Sequence, residues 1–301
     1  MTWVILGLLG AIWGASYMFI KIGGAEIPPF TFVEGRTLIA ALALLSVLRL
    51  RGEALPRTRR EWLSLIAMGI FNGVIPYTAI TWGELHITSG LAAILTAAMP
   101  LFTILLAHYW TRDERLTATK MLGVIVGFVG VIVLFMEELS RGLQMEFWGQ
   151  FAVIVAALSY AIATLVARKF LGGVSHVVAA TGQLGSAALW MLPLSIAFDN
   201  PFALRPSLAA IGSLVILALL GTAFAYVLYY WLVEHTGATR TALVTYLIPI
   251  TGVLWGAALL SEPIRADALL GLALIIAGVG LVNHSSTPPR AVIASATSTG
   301  K

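Results

Sequence analysis

The chain reads as an all-α polytopic membrane protein: ten transmembrane helices in two inverted five-helix repeats around a central cavity, with both termini cytoplasmic. Three observations predict this. First, 59% of the 301 residues are hydrophobic and 11% are charged, and mean hydropathy is +0.94. A soluble domain carries roughly 25% charged residues, so no ordinary water-facing surface can be built. Second, the chain repeats itself. Gly83-Glu84-Leu85-His86-Ile87-Thr88-Ser89-Gly90 leads on to Pro100, Glu114-Arg115-Leu116-Thr117, Gly123 and Gly130, and Val233-Glu234-His235-Thr236-Gly237-Ala238 leads on to Pro249, Glu262-Pro263-Ile264-Arg265, Gly271 and Gly278. Pro100 and Pro249 stand 149 residues apart and Glu114 and Glu262 148, so a single one-residue gap relates the two stretches. Self-similarity at a fixed offset marks an internal repeat. Third, basic residues crowd the links on one side, most of all Arg49, Arg51, Arg57, Arg59 and Arg60.

Each apolar run of about twenty residues suffices to cross a bilayer as a helix. Open sheets and lipid-exposed loops are excluded at membrane depth, and runs this long favour helices over barrel strands. The first run, 3–22, has no basic segment before it and reads as a span, not a cleaved leader. Trp13, Tyr17 and Lys21 share one of its faces, with Gly7, Gly10 and Gly14 able to admit a neighbouring helix. The second, 30–50, holds one interior arginine, Arg36. The third and fourth, 62–82 and 88–109, hold Tyr77, Thr96 and Pro100, and the fifth, 118–136, closes a first repeat over 1–137. After an expected linker at 138–146, the second repeat (147–284) has spans at 147–168, 176–198, 208–231, 239–260 and 266–284. These hold Tyr160, Gln183, Tyr226, Thr245 and Pro249. Residues 285–301 have no apolar period and are expected to form a disordered tail.

Five spans per repeat force the two repeats into opposite orientations. With both ends on one side, the links there carry thirteen Lys and Arg, while those opposite carry Lys21, Arg141, Arg205 and Arg265. The positive-inside rule then places both termini in the cytoplasm. The net charge of +4 is explained by that asymmetry and does not point to nucleic acid. Cysteine is absent, which excludes disulfides, thiolate metal sites and a cysteine nucleophile.

The two quoted stretches resemble the EamA repeat of the drug/metabolite transporter superfamily: a small-residue turn between spans, a mid-helix proline, a Glu-x-Leu-Thr-like link and a Gly-rich last helix. Glu262-Pro263-Ile264-Arg265 departs from the threonine that usually ends the link. Phe32-Val33-Glu34-Gly35-Arg36-Thr37 is similar to the family's arginine-bearing helix. The resemblance covers nearly all of 1–284, and within the superfamily it is nearest to YddG-type amino-acid exporters. It implies a cavity opened alternately to each side, and a secondary transporter in the bacterial inner membrane that exports small amphipathic metabolites, foremost amino acids including aromatic ones. Efflux of cationic drugs or nucleobases is the alternative. An enzyme is not expected, since His-Glu-x-x-His and Gly-x-Ser-x-Gly signatures are missing. The expected partners are a small-molecule substrate and membrane lipid, with no nucleic acid, ATP or cofactor, in a monomer or weak dimer.

Arg36 costs about 2.5–3.5 kcal/mol at mid-helix and persists only with a partner or a wet cavity. It could anchor a substrate carboxylate, as its planar fork allows, or cap a broken neighbouring helix or pair with Glu34 or Glu26. Its repeat counterpart is Gln183, 147 residues on; a substrate lacks that symmetry, so both are assigned to structure. Trp13, Tyr17, Tyr77, Tyr160 and Tyr226 lie away from the expected helix ends and are assigned to the cavity wall, where rings offer area, a polar handle and an attractive face for ammonium groups. Tyr17 and Tyr160 are themselves repeat counterparts. Pro100 and Pro249 would bend their helices, as a gating hinge or a fixed kink, and free carbonyls near Thr96 and Thr245 for a ligand. Glu84 and His86 are expected in a solvated link, and Glu114 and Glu262 at helix ends.

Overall fold

A computed structural model describes residues 1–56, 58–110 and 116–284, and all the regular structure among them is helical. Arg57, Glu114, Arg115 and the expected tail at 285–301 lie outside the described residues. Ten spans follow in order: α1 (Thr2–Gly24), α2 (Pro29–Leu50), α3 (Arg59–Gly83), α4 (Ser89–Trp110), α5 (Ala118–Arg141), α6 (Met145–Phe170), α7 (His176–Asp199), α8 (Leu208–Thr236), α9 (Val244–Leu260, after the short turn Ala238–Thr241) and α10 (Ala266–His284). Among the described residues, nine of them are long and apolar enough to cross a membrane, and α9 has 17 residues.

Helix starts are set locally. Thr58 and Glu61 close a capping box on α3, and Thr88, Thr117 and Ser207 each accept a backbone N–H three residues on at the starts of α4, α5 and α8. Such caps satisfy donors that would otherwise be orphaned at the helix start.

The packing obeys the sequence repeat. Helix α1 packs on α8 and α9, and its counterpart α6 packs on α3 and α4. The pairs α2–α7 and α5–α10 map onto themselves. Glycine makes the second of these possible: a Cβ on Gly278 would stand 2.5 Å from the Gly123 carbonyl oxygen, and one on Gly130 would stand 2.8 Å from that of Gly271. The α1–α9 contact uses Gly10 and Gly14 in the same way, against Leu247 and Thr251. Gly7 has open space beside it.

Two expectations about the spans need correction, and the structure adds a third difference. The 138–146 linker shrinks to Gly142, Leu143 and Gln144, because α5 continues to Arg141 and ends in a left-handed turn at Gly142. Helix α4 is not bent at Pro100 but broken before it. Ala97 and Ala98 reach back three residues to Ile94 and Leu95, and helix resumes at Met99. Pro100 then sits in a first turn, where no acceptor is missed. Pro249 does lie inside a continuous helix; the break in that span falls at 242–243, about one turn earlier in register. The third difference is a pair of π turns at equivalent places, Ile70–Val74 in α3 and Leu219–Phe224 in α8.

Candidate functional site

The two π turns supply the polar core. A π turn leaves a backbone carbonyl out of the regular ladder, and in α8 the Thr222 hydroxyl fills the gap by donating to the Leu217 carbonyl at 2.9 Å. Thr222 Oγ1 also accepts from Arg36 Nε at 3.0 Å. The mirror contact lies in the other half: Asn72, in the π turn of α3, donates from Nδ2 to Gln183 Oε1 at 3.2 Å and to the Tyr226 hydroxyl at 3.0 Å. The polar residue on the second span of each repeat thus meets the π turn of the other repeat. Arg36 is 6% exposed, and its guanidinium carbon lies 3.7 Å above the Tyr77 ring. Glu34 and Glu26 are not its partners: Glu26 caps α8 instead, accepting from Ser207 N and Oγ at 2.7 Å each.

Tyrosines surround this core. Tyr77 and Tyr160 meet edge to face at 6.5 Å, and Tyr226 packs against the same cluster. Tyr17, buried on α1, lies beside Thr96, where α4 breaks. Exposure then rises along one line toward the end of the bundle where α1 begins and α10 ends. Tyr77 is buried, Tyr226 and Tyr230 are half-buried, and His176 is exposed. Tyr226 stacks on Tyr230 at 5.8 Å and Tyr230 on His176 at 4.7 Å.

The sequence-based candidates divide accordingly. Tyr17, Tyr77, Tyr160, Tyr226, Thr96, Arg36 and Gln183 come together. Trp13 does not join them; it packs on Tyr229 at 5.6 Å, in an apolar cluster with Leu9, Leu232 and Val244. Thr245 also stands apart, in the first turn of α9, donating to the Ala242 carbonyl at 2.7 Å. Asn72, Thr222 and His176 are site neighbours that the sequence reading missed. Asn72 was the most visible, as an amide in the middle of an apolar run.

The opposite end of the bundle is tied shut. Glu262 accepts from Ser89 N and Oγ at 2.9 and 2.8 Å and from Gly90 N at 3.2 Å, capping a helix of the first repeat from the second. Lys21 Nζ donates to the carbonyls of Glu84 and Ile87. Beside these contacts lies a cleft of about 150 Å³, lined among others by His86, Ile94, Glu146, Gln150 and Glu262. Glu84 is not solvated as expected: it is 1% exposed.

Two stretches of the chain, residues 1–136 and 147–284, match the model of the EamA-like transporter family. The chain belongs to the EamA-like transporter family. Similar transporters match it over more than nine-tenths of its length. The transporter YoaV of Bacillus subtilis is 26% identical over 281 residues, covering 93% of this chain and 96% of its own. The inner membrane transporter YedA of Escherichia coli strain K12 is 27% identical over 288 residues, 92% of this chain and 91% of its own. A protein of Streptantibioticus cattleyicolor named as a probable terminal-alkyne amino-acid exporter is 27% identical over 298 residues, 96% of this chain and 98% of its own. One crystal structure superposes with a TM-score of 0.67 at 18% identity, covering 93% of this chain and 96% of that one, and shares the fold. The protein is a multi-pass inner-membrane transporter of this family.

Proposed function

We propose that the protein exports amino acids, including those with aromatic side chains, by alternating access. In this reading the substrate binds among Tyr17, Tyr77, Tyr160 and Tyr226, and the structure is the state open toward the end that carries the termini, taken as cytoplasmic from the charge bias. The observation that carries the reading is the tyrosine cluster at the meeting of the two repeats, with its half-buried members leading to one face. A site at the interface of inverted repeats is reached from either side by rocking one repeat on the other.

The cluster suits an amphipathic zwitterion. Four rings offer apolar area, their hydroxyls offer hydrogen bonds, and ring faces attract an ammonium group. The relative from Streptantibioticus cattleyicolor, named as a probable terminal-alkyne amino-acid exporter, supports that substrate class. Arg36 is assigned a structural role, because its Nε is held by Thr222 and its plane by Tyr77.

Counterflow in proteoliposomes tests the proposal. Vesicles preloaded with unlabelled phenylalanine, methionine, threonine or alanine take up labelled amino acid, with the large side chains preferred. Uptake driven only by cationic dyes or nucleobases assigns the site to the competing substrate class.

A further inference from the structure

Glu84 stands just past the end of α3, at the closed end of the bundle. It is 1% exposed, and neither carboxyl oxygen has a hydrogen-bond partner among the described residues. Lys21 on α1 turns its ammonium group onto the backbone carbonyls of Glu84 and Ile87, not onto the carboxyl group. The other charged and titratable groups that act on it are Glu262 in the α9–α10 link, Arg36 on α2 and Tyr17 on α1. His86 and Glu146 line the adjoining cleft. From α6 the chain packs so tightly that a Cβ on Gly83 would stand 2.8 Å from the Gly149 carbonyl oxygen.

A carboxylate buried without a partner is far too costly to stay ionised, and such a group takes a proton instead. Burial pushes the Glu84 carboxyl well above the usual carboxylate range, with the Lys21 charge acting against it. Opening this end would admit water and free Lys21 to face the carboxylate, removing the cost.

We propose that Glu84 is a proton-binding site that closes this end of the transporter when occupied: the carboxylic acid is held in the closed state and releases H⁺ to the adjoining aqueous face as that end opens. The inference rests on the alternating-access reading above. One O–H bond breaks per opening, and the proton goes to water. Because the closed state binds the proton more tightly, closure is favoured at low pH and is lost as pH rises through the raised value. Low pH at that face therefore returns the transporter to the state seen in the structure.

The test uses the cysteine-free chain. Ile94 is fully buried at the floor of the closed-end cleft. In proteoliposomes, the rate at which Ile94→Cys reacts with a membrane-impermeant maleimide is measured from pH 5 to 9. It is divided by the rate for Ile94→Cys with Glu84→Gln, which cancels the thiol's own titration. The ratio is expected to climb with pH, by no more than about tenfold per unit for a single group, and Glu84→Asp is expected to keep the climb. A ratio flat with pH overturns the inference, as does an Asp variant that behaves like the Gln variant while still folded. Amino-acid counterflow by the Ile94→Cys parent is recorded alongside. Its absence speaks against the transport reading, whereas intact counterflow with a flat ratio speaks against Glu84 alone.

Discussion

Arg36 Nε donates to the Thr222 hydroxyl across the boundary between the repeats at 3.0 Å, and Gln183 repeats that contact by accepting from Asn72 at 3.2 Å. The two pairs are one contact used twice, each joining the second span of one repeat to the π turn of the other. A hydrogen bond to a charged group contributes about 1.5–3 kcal/mol, and the stack on Tyr77 adds to it. The contact therefore ties the halves together at the point where the tyrosines gather.

We predict that Arg36→Ala reduces folded yield and melting temperature in detergent, while Arg36→Lys folds but transports poorly. Lysine can replace the charge, though not a planar group held by Tyr77 and Thr222 at once. Full thermal stability of Arg36→Ala, with loss of carboxylate substrates alone, reassigns the residue to substrate binding.

The α5–α10 seam provides a stability test within one helix. Gly278→Ala places a methyl group 2.5 Å from backbone of α5, whereas Gly280 faces open space. Overpacking costs about 1–3 kcal/mol, and alanine in an open helical site gains up to about 1 kcal/mol over glycine. Thermal melts should show Gly278→Ala below the parent and Gly280→Ala at or above it. Equal behaviour of the two contradicts the close packing of the last helices.

At the closed end, Glu26 accepts from the Ser207 backbone and hydroxyl, and these bonds lower its pKa below the ordinary 4.5. A lowered value means that the stabilisation is present above the ordinary pKa and fades as pH falls through the lowered one. Melting temperatures of Glu26→Gln and the parent should therefore differ at neutral pH and converge as pH falls through the lowered carboxyl range. A gap that widens on acidification refutes the cap.

Topology is open to labelling in intact cells. Single cysteines at Ser175 and Phe202 lie in exposed turns at opposite ends of the bundle. With the termini in the cytoplasm, Phe202→Cys reacts with an impermeant maleimide at once and Ser175→Cys only after permeabilisation. The reverse order inverts the assignment.

The ten spans were legible because each is a long apolar run bounded by charge, glycine or proline, and the pairing of α5 with α10 was foreshadowed by their glycines. The π turns were not legible. Ile70–Val74 and Leu219–Phe224 are apolar stretches whose bulges answer to tertiary packing, so Asn72 and Thr222 went unnoticed even though an offset of 150 relates them. Spacing alone put Trp13 on a face with Tyr17. One turn of helix separates them, and that turn is enough to move Trp13 from the tyrosine cluster to an apolar contact with Tyr229. Glu84 misled for a similar reason. Its place in a link suggested water, but the Gly83–Gly149 contact draws that link into the protein.

The most direct test of the tyrosine cluster as the substrate site is counterflow of labelled phenylalanine and alanine by Tyr160→Ala, Tyr226→Ala and Trp13→Ala at equal protein. Losing a stacking or cation–π contact of about 0.5–2 kcal/mol weakens phenylalanine about two- to thirty-fold. If the cluster is the site, the first two variants lose phenylalanine by that factor and alanine by less, while Trp13→Ala loses stability and keeps the parent's ranking. An unchanged ranking in Tyr160→Ala and Tyr226→Ala, at reduced yield, means that these rings are packing and that substrate binds elsewhere.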